Sequence, residues 1–143
     1  MLSLLIIDSS ASKRCELKKL LEMKYSNSII TLSKSQLESE RLIRNHKYDI
    51  IVISLVIKSV NTFSLISNIK KWSSESKILV TGAKEHHSFI PAIYMLGVNG
   101  FINYNQNVND YQFAFDALLD GHPYFDIKLL SFDLPPKNRS IVN

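Results

Sequence analysis

The chain's apolar positions fall into short runs separated by amphipathic stretches. The most continuous is residues 49–55, Asp-Ile-Ile-Val-Ile-Ser-Leu, with an acid at its start and a hydroxyl near its end. A run apolar on both faces predicts a central strand of a parallel sheet, covered by helices on each side. Similar runs at 4–7, 28–32, 77–81 and 100–104 predict four more strands. Between them, apolar residues recur at helical spacing over 11–25, 35–47, 62–72, 88–96 and 110–119. Expected core anchors include Leu17, Leu20 and Leu21 in the first helix, Leu37, Leu42 and Ile43 in the second, and Phe115, Leu118 and Leu119 in the fifth.

Punctuation supports these boundaries. Ser10 is placed to cap the first helix. Pro91 is tolerated only in a helix's first turn, and Gly97 and Gly121 suit helix ends. Strand and helix alternate five times with short connections. That predicts an α/β fold, a doubly wound, five-stranded parallel sheet of (βα)5 form. In such sheets chemistry gathers at the carboxyl ends of the strands, which directs attention to Ser54.

Composition changes this picture little. With 143 residues, 45% hydrophobic and 21% charged, the chain suits one globular domain. A lone cysteine, Cys15, permits no internal disulfide and fits a reducing compartment. The opening apolar run is cut short by Asp8 and has no basic leader, so neither a signal peptide nor a membrane contact is expected, and the protein is expected to be cytoplasmic. A net charge of +4, without a dense basic run, reads as solvation and not as direct DNA binding. Residues 1–125 are read as one domain and 126–143 as a C-terminal extension or linker, with Pro135-Pro136 its linker-like feature.

Residues 2–125 resemble the receiver domain of bacterial response regulators, a flavodoxin-like (CheY-like) fold. The resemblance rests on the first strand ending in an acid, the Asp-Ile-Ile-Val-Ile-Ser-Leu third strand, Ile78-Leu79-Val80-Thr81-Gly82, and the run Leu96-Gly97-Val98-Asn99-Gly100-Phe101-Ile102. The stretch from Ala114 to Phe125, with Gly121-His122-Pro123-Tyr124, is similar to the exit of the NarL/FixJ subgroup, whose receivers precede a LuxR-type helix-turn-helix.

The departures from that family carry the functional reading. The resemblance implies an aspartate acceptor at the end of the third strand, an acidic pair after the first, and a lysine ending the fifth. A carboxylate is needed to form an acyl phosphate, and further acids are needed to hold a hard divalent cation through oxygen. Here the acceptor position is Ser54, the acidic pair is Asp8-Ser9, and the lysine position is Tyr104. Asp8 and Thr81 alone keep the family's types. One remaining carboxylate implies no metal and no cofactor, a degenerate pseudo-receiver, and no enzymatic activity.

Ser54 lacks a Gly-x-Ser-x-Gly elbow, so a neutral residue filling a retired acid pocket is the simpler account. Tyr104 is expected to reach into that pocket. Thr81 and Phe101 occupy the positions of the family's switch pair, with Phe101 the switch-like aromatic. His86 and His87 are adjacent, not at the i, i+4 spacing of paired ligands, and read as loop residues. Serines 9, 10 and 12 only faintly echo a phosphate-binding loop.

A receiver stripped of its chemistry retains contact surfaces. The expected function is regulation of transcription through protein–protein contacts, independent of phosphorylation. The partner would be a second copy of the chain or another response regulator, with DNA bound only through a domain outside this chain. The subgroup suggests a dimer in which Lys13, Arg14, Leu17 and Lys18 face Tyr111, Phe113 and Asp116, the aromatics being exposed. The 18 residues after Phe125 are too few for a DNA-binding domain of roughly 50 residues. Either the natural protein continues past Asn143 or the helix-turn-helix has been lost, and the linker-like Pro-Pro tail favours the first. Two alternatives differ in class: an active phosphoacceptor using Ser54 or a displaced acid such as Asp49, and a small-molecule sensor that has refilled the pocket.

Overall fold

The computed structural model describes residues 1–55, 61–104 and 107–125. Five strands and five helices alternate as expected: β1 (Leu2–Ile7), α1 (Ala11–Lys24), β2 (Ser28–Ser33), α2 (Gln36–Asn45), β3 (Ile50–Ser54), α3 (Thr62–Trp72), β4 (Lys77–Gly82), α4 (Ile90–Met95), β5 (Gly100–Asn103) and α5 (Val108–Leu119). A sixth strand follows, β6 (Tyr124–Phe125). The order across the sheet is β2-β1-β3-β4-β5-β6, and every pairing is parallel. This is the doubly wound order, with one strand more than the five expected.

The extra strand is too short to show a period of two in sequence, and its partner explains it. Gly100 lies opposite Tyr124. A Cβ at Gly100 would sit 2.7 Å from the Tyr124 carbonyl oxygen, so the missing side chain lets β6 close against β5.

Alternation along the strands sorts the core into two faces. Leu5, Ile7, Ile51, Ile53, Ile78 and Val80 pack under α2, α3 and α4 with Ile43, Leu65, Ile66, Ile69, Ile90 and Ile93. Leu4, Ile6, Ile50, Val52, Leu79 and Ile102 pack under α1 and α5 with Leu17, Leu21, Tyr111, Ala114, Phe115 and Leu118. Two expected anchors point outward instead, Leu37 in the first turn of α2 and Leu119 at the end of α5.

The expected cap forms: the Ser10 hydroxyl accepts from the Lys13 N–H. The Ser35 hydroxyl and the Asn61 amide oxygen cap α2 and α3, accepting from the Glu38 and Ser64 N–H groups. The fourth helix differs from the expected 88–96. Residues Lys84–Phe89 form a 3-10 helix, and α-helix begins only at Ile90. Pro91 has no N–H to donate, so it sits in the opening turn of the α-helical ladder. The preceding stretch closes with shorter bonds such as His86 N–H to Ala83 O at 3.0 Å. Gly97 then ends the helix at a φ of 99°, a conformation that favours glycine. The extension read from the sequence at 126–143 lies outside the described residues.

Candidate functional site

Strand alternation decides which side chains meet. Asp8 continues the parity of Leu4 and Ile6, Ser54 that of Ile50 and Val52, Thr81 that of Leu79, and Tyr104 that of Ile102. All four therefore project from the carboxyl ends of β1, β3, β4 and β5 on the face that α1 and α5 cover. Ser54 and Thr81 are register partners, and both are buried, as is Asp8. Phe101 has the opposite parity and is buried on the other face. Its ring meets His87 edge-on at 5.6 Å, and the His87 Nε2 lies 3.0 Å from Asn103 Oδ1.

Tyr104 reaches into the site. Its hydroxyl and that of Ser54 are hydrogen-bonded at 2.5 Å. The Lys13 ammonium lies 3.3 Å from the centroid of the Tyr104 ring, a cation–π contact from the first turn of α1. Arg14 Nη1 donates to the Asp8 backbone oxygen at 2.6 Å. The Asp8 carboxylate accepts the Ser10 N–H at 2.9 Å, which orders the loop holding half-buried Ser9.

Electrostatics follow from burial. Desolvation pushes the Asp8 carboxyl above its ordinary range, while the Ser10 N–H and the charges of Lys13 and Arg14 pull the other way. Tyr111 is buried beneath α5. Burial, with Tyr104 and Asp8 nearby, holds its phenol protonated well above the ordinary value of 10.0.

Two residues expected on a dimer surface, Leu17 and Tyr111, belong to the core. Lys13 is exposed and lies over Tyr104, and half-buried Arg14 ties α1 to Asp8. Tyr111 shares a helical face with Ala114, Phe115 and Leu118, a periodicity that was readable in the sequence. Phe113, 63% exposed, and exposed Asp116 remain on the outer face of α5, and Lys18 is half-buried on α1. Asp116 also accepts a hydrogen bond from the Tyr25 hydroxyl at 3.2 Å, joining α5 to the end of α1.

The donor set does not fit a divalent cation of the magnesium type, which is held by carboxylates and other oxygens in an octahedral shell. Among the described residues no three His, Cys, Asp or Glu side chains come together as a metal-binding group, and Asp8 is the one acid among the residues of this site. Ser54 is hydrogen-bonded to a phenol, which is a poor base at neutral pH compared with an imidazole. Asp49 is at the far end of β3, where its carboxylate accepts the Ser3 N–H at 2.7 Å. It lines a cleft of about 650 Å³ at the amino ends of β3 and β4, remote from Ser54.

A parallel α/β sheet with its polar cluster at the carboxyl ends of the central strands defines the doubly wound class. Residues 4–112 match the model of the response regulator receiver domain, and the chain belongs to that family. The chain is 20% identical to the fimbriae Z protein of Salmonella typhimurium, over 97% of its own length and 72% of that protein's. It is 28% identical to the DNA-binding transcriptional activator EvgA of Escherichia coli over 60% of its length, spanning 42% of EvgA. A LuxR-family two-component response regulator from Aurantimonas superposes with a TM-score of 0.80 at 18% identity, covering 89% of this chain and 91% of that one. The subgroup resemblance read from residues 114–125 is in line with the fimbriae Z and EvgA relatives, both of the NarL/FixJ type. No described helix is long and apolar enough to cross a membrane.

Proposed function

We propose that this chain is an atypical receiver that works without aspartyl phosphorylation and regulates transcription through protein–protein contacts. The observation that carries this is the Ser54–Tyr104 pair: a hydroxyl stands where the family's acceptor acid would be, and a phenol is bonded to it. The donor set at the site, poor in carboxylates, supports the same view, because neither an acyl phosphate nor its cation has the groups it needs. The output is contact and not turnover, so the chain is no enzyme.

Its relatives support a place in transcription control, since EvgA is named a DNA-binding transcriptional activator. The receiver sits N-terminal to a LuxR-type helix-turn-helix, or partners a protein that carries one, and acts in the cytoplasm. Self-association uses the outer faces of α1 and α5 around Lys18, Phe113 and Asp116. Incubation with a small phosphodonor and magnesium, followed by intact mass, tests the central claim. An unchanged mass is expected. A gain of one phosphoryl group would overturn it and establish a divergent phosphoacceptor.

A further inference from the structure

The first turn of α1 is electrostatically unusual. A helix's amino end carries partial positive charge and favours acids, yet α1 has no acid in its first turn and places Lys13 and Arg14 at its start. Both cations are turned to use inside the molecule. Arg14 donates to the Asp8 backbone oxygen, and Lys13 lies over the Tyr104 ring within electrostatic reach of Asp8. Tyr104 in turn follows β5 and bonds Ser54 on β3, bridging strands that β4 separates. One aromatic side chain thus touches β3, the end of β5 and α1.

We propose that Lys13 and Tyr104 form an intramolecular latch that fixes the first turn of α1 against the ends of β3 and β5, so that the α1–α5 face is set from within the chain. This rests on the reading that the site takes no phosphoryl group, and adds what stands in its place. The phenol supplies the polar contact to β3, and the lysine supplies the positive charge from α1 and not from the end of β5. The α1–α5 face is therefore held in one arrangement with no input from a phosphodonor.

The test turns on a sign. Lysine and methionine have similar helix propensities, so Lys13→Met changes the charge and little else in α1 itself. If Lys13 merely pointed into solvent, removing a cation from the helix's amino end would tighten α1. The latch predicts the reverse. Hydrogen–deuterium exchange of the whole chain is measured over residues 11–17 for wild type, Lys13→Met, Tyr104→Leu and Tyr104→Phe. Lys13→Met and Tyr104→Leu should each speed exchange there by about two- to fivefold, the scale of one cation–π contact made by an exposed lysine. Tyr104→Phe keeps the ring and should leave residues 11–17 near wild type. The double variant Lys13→Met/Tyr104→Leu should exchange no faster than Tyr104→Leu alone. Unchanged or slowed exchange in Lys13→Met overturns the latch. Should Tyr104→Leu fail to fold, Lys13→Met against Tyr104→Phe still decides, because each removes only one contact. Intact mass after phosphodonor treatment is read separately on wild type, so loss of the latch and loss of the phosphorylation-independent reading are told apart.

Discussion

Ser54 and Tyr104, fifty residues apart in sequence, hold their hydroxyls 2.5 Å from one another and so join the ends of β3 and β5 across β4. The pair is a cross-strand bond formed where the family resemblance implies a phosphoryl group. It makes the site a structural joint, with consequences that can be measured.

A double-mutant cycle with Ser54→Ala and Tyr104→Phe isolates the bond. Each single change is expected to cost about 0.5–1.5 kcal/mol of folding stability, since a buried hydroxyl loses its partner. The double variant should cost less than the sum, with a coupling of roughly 1 kcal/mol. Denaturant unfolding checks it. A coupling indistinguishable from zero would mean that the two hydroxyls meet without stabilising each other.

Restoring an acid at the acceptor position should not restore the chemistry. Ser54 is 1% exposed, and Ser54→Asp would place a carboxylate beside Tyr104 in the same buried cluster as Asp8. The expected result is a loss of roughly 1–3 kcal/mol, from desolvation and like charge. The variant should still gain no phosphoryl group, because the cation-binding acids remain too few. Thermal melts and intact mass read the two effects independently.

Asp8 gives stability a specific pH dependence. Burial raises its folded-state pKa above the ordinary 3.8, so the folded chain binds this proton more tightly than the unfolded chain. Stability therefore falls as pH rises from 3.8 through the raised value, and above that window the buried charge is a standing cost. Asp8→Asn, whose amide oxygen can still accept the Ser10 N–H, should be at least as stable as wild type at neutral pH. The difference should vanish below 3.8. Denaturant midpoints across that range provide the measurement. A wild type that gains on the variant as pH rises would show that Lys13 and Arg14 outweigh the desolvation.

The limits of sequence reading are visible in particular residues. The apolar strands around Ile50–Ser54 were legible because burial on both faces leaves an unbroken run, and the Ser9, Ser54 and Tyr104 departures followed from the family's register. The contact of Lys13 with Tyr104 was not legible. It joins residues 91 positions apart and depends on how far a flexible lysine reaches, which no local pattern encodes. The two residues of β6 are too few to alternate, and the 3-10 stretch before Pro91 shows no 3.6-residue period. Tyr111 is different: it was expected to be exposed, although its spacing from Ala114, Phe115 and Leu118 is that of a core position, where it lies.

Gly100 should prove the least replaceable glycine in the sheet. An added methyl would meet the Tyr124 carbonyl at 2.7 Å and Leu79 Cδ1 at 3.0 Å, so Gly100→Ala must push β6 or β5 aside. At Gly121 nothing lies within 4 Å, and the cost of Gly121→Ala is only that of a residue with φ of 84°, about 1 kcal/mol. Gly100→Ala is expected to cost more than Gly121→Ala and to expose the Tyr124 amide to exchange. Equal costs would show that β6 yields freely.

Charge separates the two helices that face the proposed partner copy. The α1 segment carries Lys13, Arg14, Lys18, Lys19 and Lys24 against Glu16 and Glu22, whereas α5 and its cap carry Asp110, Asp116 and Asp120 with no lysine or arginine. In a two-fold dimer each basic α1 meets the partner's acidic α5, so every contact is made twice. Lys13 and Arg14 make contacts within the chain, and of the remaining lysines Lys18 is the one proposed to meet Asp116 beside exposed Phe113. Lys18→Glu is expected to weaken self-association by about tenfold at low salt and less at high salt, because exposed charges are screened. Phe113→Ser should weaken it at both, since apolar burial does not depend on ionic strength. Asp116 is the poorer choice for reversal, because its loss also breaks the bond from Tyr25. Sedimentation equilibrium at two salt concentrations reads all of this. A dimer constant unmoved by Lys18→Glu and Phe113→Ser would remove α1 and α5 as the contact face.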